Sequence, residues 1–172
     1  MQKISTVSKV FAVLSLISAS IWIGSYLSRL FLVYQIFEGP DLILKSYVND
    51  ANVEGILISI MPALVVHFVA FIFMIVTSIS FFATSKLNLR NNGWLFIILV
   101  AILITLPFEI YLMIIDLKII LMLQSTSFDS NAILFLLRDR IKVLSSYSIV
   151  AILTYLSFYY FIVFQPLTKK EK

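Results

Sequence analysis

Uncharged, mostly apolar residues fill four long stretches of the chain, separated by short polar segments. No charge interrupts positions 10–28, between Lys9 and Arg29, and the apolar character runs on through Leu30, Phe31, Leu32, Val33, Ile36 and Phe37. The second stretch, 55–85, follows Asn49-Asp50, an N-cap signal, and Glu54, an acid suited to the positive end of a helix dipole. The turn signal Asn91-Asn92-Gly93 then opens the third, which is uncharged from Trp94 to Phe108 and continues past Glu109 and Asp116 to Leu123. The last begins at 132–137, carries Arg138-Asp139-Arg140-Ile141-Lys142 and runs uncharged over 143–167. A helix needs about 20 apolar residues to cross a bilayer, whereas barrel strands would alternate over about 10. The pattern therefore predicts an all-α integral membrane protein, residues 1–172 forming one domain. Four transmembrane helices, at approximately 8–37, 55–85, 93–123 and 140–166, would form an up-down bundle.

Composition excludes more than it suggests. With 61% hydrophobic and 13% charged residues in 172, the chain lies far from the roughly half apolar, quarter charged balance of a water-soluble domain. The absence of cysteine and a single histidine exclude disulfides, thiolate catalysis and Cys/His metal or bis-histidine haem sites within one chain, so no cofactor and no metal are expected. The first 20 residues imitate a signal peptide, with Lys3 and Lys9 ahead of an apolar run and Ser18-Ala19-Ser20 as a cleavage-like site. The apolar run continues beyond that point, which predicts an uncleaved anchor.

Charge sets the expected orientation. Lys3, Lys9, Lys86, Arg90, Lys169, Lys170 and Lys172 face one acid, Glu171, a balance of +6, while the other side holds six bases and eight acids, a balance of −2. The positive-inside rule places both termini in the cytoplasm, and short loops with basic ends fit a bacterial plasma membrane. The 13 bases form no aromatic-interleaved face, so nucleic acid is not an expected partner. If Lys9, Lys86, Arg90 and the Pro166 break pin the cytoplasmic ends, the surplus length of all four helices stands beyond the bilayer on the non-cytoplasmic side. Those outer segments are apolar, and either a core of their own or a partner must cover them.

The same pinning sets depth. Arg29 lies 20 residues from Lys9, His67 19 from Lys86, Glu109 19 from Arg90 and Tyr147 18 from Gln165, so each helix contributes one polar residue to an intramembrane layer. Seven residues further out, Asp116 and Arg140 form an outer layer, and the seven-residue step keeps Glu109 and Asp116 on nearly one face. An ionised Glu109 must face the bundle and meet Arg29 or His67, or hold a proton. It can then serve as a proton or cation relay, or as an ion pair that fixes helix register. His67 can shuttle protons or ligate a group shared with another subunit, or hydrogen-bond a neighbouring helix. The bases around Arg140 can bind an anion or lipid headgroup, or remain solvated. Ser20, Gly24 and Ser28 recur every four residues and would let another helix, of this chain or a second one, approach closely.

No phosphate loop, GxSxG elbow, HExxH pair or paired-carboxylate motif is present, and the loops are too short for a catalytic domain. The expected partners are the lipid bilayer and other membrane subunits or further copies of this chain. The function predicted on these grounds is a non-catalytic subunit or scaffold of a larger membrane complex rather than an enzyme. The alternative is a proton- or ion-coupled transport component using Glu109 with Arg29 and His67, Asp116 and Arg140 forming an outer gate. A lipid-modifying enzyme would have to rely on His67 with Glu109.

Overall fold

The computed structural model describes residues 5–85, 87–125, 129–143 and 146–168. Lys3, Lys86, Lys169, Lys170, Glu171 and Lys172, which carry most of the charge bias between the two ends, lie outside the described residues. Five helices follow one another: α1 (Thr6–Ile36), α2 (Val53–Ser85), α3 (Gly93–Leu123), α4 (Ser130–Val143) and α5 (Tyr147–Phe164). Two short antiparallel strands, β1 (Phe37–Glu38) and β2 (Ile43–Leu44), make a hairpin between α1 and α2.

Four of these helices, α1, α2, α3 and α5, are long and apolar enough to cross a membrane. Their outward faces carry rows of exposed aliphatic and aromatic side chains, such as Val10, Val13 and Ile17 on α1 and Val69, Phe73 and Val76 on α2. Such a surface is stable in lipid and not in water. At about 1.5 Å per residue the 31 residues of α1 reach about 46 Å, well beyond a hydrocarbon core of about 30 Å. The helices α2 and α3 are as long and run on through Pro62 and Pro107, each of which removes one intrahelical hydrogen bond.

The fourth span differs from its expected limits of 140–166: the chain breaks between Val143 and Tyr147, and 130–143 form a helix of their own. Asp129 Oδ1 caps α4 by accepting from the backbone N–H groups of Asn131 (2.9 Å) and Ala132 (3.3 Å). One face of α4 is buried, with Ile133, Leu134, Leu137 and Arg140 at helical spacing, and Lys142 is exposed. The charges on this helix oppose burial in hydrocarbon, whereas its single apolar stripe suits packing on the ends of longer helices.

That packing accounts for the surplus length. Ile133, Leu134 and Leu137 of α4 join Phe37, Leu42 and Val48 of the hairpin region in one core with Leu57 and Ile60 of α2 and Ile115, Ile119 and Leu123 of α3. The hairpin turns at Gly39, whose φ of +67° is easily accessible to glycine, and returns through Leu42. A second, aromatic-rich core lies towards the other end and contains Trp22, Tyr26, Phe71, Trp94, Tyr155 and Phe158.

Side-chain hydrogen bonds fix the relative directions of the helices. Ser8 meets Thr84 (3.1 Å), Ser15 meets Ser78 (2.6 Å) and Ser25 meets His67 (3.3 Å), so α1 and α2 run antiparallel along a line of hydroxyls. Ser20 meets Tyr159 (2.8 Å) and Tyr26 meets Ser148 (2.9 Å), so α5 also runs against α1. Gly24 and Ser28 are exposed, and nothing lies within 4 Å of where a Cβ on Gly24 would stand. Among the described residues the Ser20, Gly24, Ser28 stripe therefore receives one tyrosine hydroxyl at Ser20 and no close-packed helix at Gly24.

Candidate functional site

The site grows from a spacing of seven. On α1 the positions 8, 15, 22 and 29 hold Ser8, Ser15, Trp22 and Arg29, which lie close to one helix face and turn Trp22 and Arg29 into the interior. On α3 the same geometry aligns Thr105, Glu109, Leu112 and Asp116, all buried. His67 enters from α2 and Arg140 from α4. Exposure is 2% for Arg29, 7% for Arg140 and 0% for His67, Glu109 and Asp116, so five ionisable side chains meet inside an apolar protein.

Asp116 is the hub. Its Oδ2 accepts from Arg29 Nη1, and its Oδ1 accepts from Arg140 Nε at 2.6 Å. One carboxylate thus joins α1, α3 and α4, and links the member of the expected intramembrane layer on α1 to the outer layer on α3 and α4. Tyr26 supports both cations with its ring face, its centroid lying 4.8 Å from Arg29 Cζ and 5.7 Å from Arg140 Cζ. Burial opposes the charge on Arg140, but Asp116, Tyr26 and Glu109 together outweigh it and hold the guanidinium above its ordinary pKa. Two cations on one anion leave an excess positive charge, which is costly in apolar surroundings unless a further anion compensates it.

Glu109 is placed to do so, but without contact. Neither carboxylate oxygen has a hydrogen-bond partner among the described residues, although Arg140 and Arg29 both lie within electrostatic reach. The direct pairing of Glu109 with Arg29 or His67 expected from depth does not form among the described residues: the long arginine side chain extends to Asp116 instead. Tyr147 stands near Glu109, donates its hydroxyl to the Thr105 carbonyl (3.0 Å) and rests its ring on Phe108.

His67 occupies an aromatic box. Its ring stacks on Trp22 with centroids 5.7 Å apart, meets the Tyr26 ring edge-on at 5.1 Å, and bonds Ser25 through Nδ1, while Nε2 has no partner among the described residues. Trp22 also packs on Tyr155 (4.7 Å), whose hydroxyl meets Thr105 at 3.2 Å. Sequence reading singled out none of Trp22, Ser25, Tyr26 and Thr105. The available signal was spacing, since Trp22 precedes Arg29 by seven residues and Thr105 precedes Glu109 by four.

Two partly open spaces lie near the cluster. One, of about 190 Å³, lies between α1, α2, α3 and α5, is almost wholly apolar, and has Trp94, Phe158 and Tyr155 in its walls. The other, of about 20 Å³, lies between Arg29 and Arg140. Among the described residues no three His, Cys, Asp or Glu side chains converge as a metal site would require. Compared with family models, curated proteins and solved structures, the chain matches none, so the geometry of the cluster carries the functional reading.

Proposed function

We propose that this chain is a proton-coupled transport component of a membrane, with Glu109 as the group that takes up and releases the proton. In this reading the four spanning helices form an up-down bundle with both termini in the cytoplasm of a bacterial plasma membrane, and α4 caps the bundle on the non-cytoplasmic side. The observation that carries the proposal is a fully buried carboxylate with neither oxygen hydrogen-bonded, beside two buried guanidiniums that share one other carboxylate. An ionised Glu109 balances the second guanidinium, whereas protonation lifts the cost of a buried anion whose hydroxyl neighbour, Tyr147, donates to the Thr105 carbonyl instead. Each state thus answers one of two opposed costs, which is the condition for a group to alternate between them. The Arg29, Asp116 and Arg140 assembly is the fixed charge against which Glu109 works, and His67 lies within electrostatic reach of both arginines.

The test is proton entry into vesicles containing the purified chain, followed with an enclosed pH-sensitive dye. Wild type should carry protons down an imposed gradient, and Glu109→Gln should lose at least about tenfold of that flux, the order expected for removal of a proton-transferring group. The variant should still accumulate as folded protein. Equal flux in both proteins would refute the proposal.

One observation favours a second reading, the membrane scaffold. The exposed Gly24 and Ser28 leave a small-residue face open on α1, where a helix of another subunit or of a second copy would pack. In a scaffold, Glu109→Gln would alter assembly and leave proton flux at the level of empty vesicles in both forms. The outer apolar segments lend this reading less support than they do in sequence, because α4 and the hairpin cover much of them.

A further inference from the structure

The small space between α1, α2 and α4 has an unusual lining. Arg29 and Arg140 both border it, and Nη2 of each is buried without a hydrogen-bond partner among the described residues. Its other walls are Leu30, Val33, Leu64, Leu137 and Ile141. Its free volume of about 20 Å³ admits a water-sized occupant and is small beside the other space, which suits a small ion. A water molecule there would find donors but no acceptor for its own hydrogens, since guanidiniums only donate and the remaining walls are hydrocarbon. The lining suits an occupant that only accepts hydrogen bonds.

We infer that Arg29 and Arg140 hold a single halide ion, chloride in a cell, and that it binds together with a proton on Glu109. The coupling rests on the proton-transfer reading of Glu109 given above. The two arginines and Asp116 carry one net positive charge, and either an ionised Glu109 or a halide cancels it. Both at once would leave an excess negative charge in the interior, so halide binding favours protonated Glu109 and protonation favours the halide. By linkage the two effects are equal. The groups within electrostatic reach of Glu109 are Arg29 from α1, Asp116 from α3, Arg140 from α4, and Tyr147 and Tyr155 from α5, while Tyr26 of α1 and His67 of α2 adjoin the arginines. The substrate class that follows is a halide moving with a proton.

Equilibrium binding of radiolabelled chloride to the full chain in detergent, at constant ionic strength with gluconate as the replacing anion, tests this directly. Wild type should bind saturably and about tenfold or more tightly at about pH 5 than at about pH 8. Glu109→Gln should bind at both pH values as wild type does at the acid end. Arg140→Lys, which keeps the charge but removes Nη2, should lose at least about tenfold in affinity. Should that variant fail to fold, Val33→Leu places one more methylene in the space without touching a charge, and it should abolish binding.

Absence of saturable chloride binding to wild type at either pH, or binding unchanged by Val33→Leu, would overturn the site. Proton flux that persists undiminished when gluconate replaces all halide would overturn the halide as co-substrate while leaving Glu109 as the proton carrier. Halide binding with the same affinity at both pH values and in Glu109→Gln would refute the coupling, whereas equal proton flux in wild type and Glu109→Gln would refute the proton reading.

Discussion

Asp116 and Glu109 lie seven residues apart on one helix face, yet their surroundings assign them opposite parts. Asp116 accepts from two guanidiniums and is structural in the strict sense that three helices converge on its oxygens. Asp116→Asn keeps the shape but leaves Arg29 and Arg140 buried without their shared anion, and should cost about 3–5 kcal/mol. Glu109→Gln removes a carboxylate that makes no hydrogen bond among the described residues and should change stability by less than about 1 kcal/mol. Thermal unfolding in detergent checks the contrast, and equal losses for the two variants would remove the distinction between them. The sequence put the two acids on nearly one helix face and matched Glu109, not Asp116, to the depth of Arg29. It concealed which acid the arginine would choose, because a long flexible side chain reaches across more than one helical turn, and spacing along the backbone does not record that reach.

At the scale of elements, α4 departs most from the sequence reading. The apolar positions 132–137 and the charged cluster after them read naturally as the outer end of one long span, since no glycine or proline marks the break before Tyr147. Asp129, as a cap, was a legible start signal for a helix there, and the charges at 138–142 were a legible reason for it to stay out of hydrocarbon. What could not be read was the tertiary fact that the ends of α2 and α3 offer a surface for its apolar stripe to cover. Ile133 is completely buried in that contact and Phe135 is 67% exposed. Ile133→Ala should therefore cost about 2–5 kcal/mol and open the 130–143 segment to added protease, whereas Phe135→Ala should cost little. Protease resistance retained by Ile133→Ala would show that α4 is held by something other than this core.

Over the whole molecule, four helices long and apolar enough to cross a membrane were legible because apolar runs longer than a bilayer have few other uses in a protein. Pairing between helices was less legible, since the Ser8, Ser15 and Ser25 line that joins α1 to α2 lies on a different face from the small-residue stripe of Ser20, Gly24 and Ser28. The absence of native cysteine makes the proposed orientation easy to measure. In intact cells, a cysteine replacing Asp50 should react with an impermeant maleimide, and one replacing Asn91 should react after the membrane is permeabilised. The reverse pattern would invert the protein and place the cap formed by α4 on the cytoplasmic side.

The central claim is that Glu109, beside the single net positive charge of two arginines and one aspartate, gains and loses a proton while the fold stays intact. Infrared difference spectroscopy on the purified chain in lipid, recorded between acid and alkaline pH, reads this directly from the carbonyl stretch of a protonated carboxyl group. The account predicts a carboxyl band that appears on acidification, is absent from Glu109→Gln, and shifts in frequency when chloride replaces gluconate. A spectrum in which Glu109→Gln retains the wild-type band in full would contradict it.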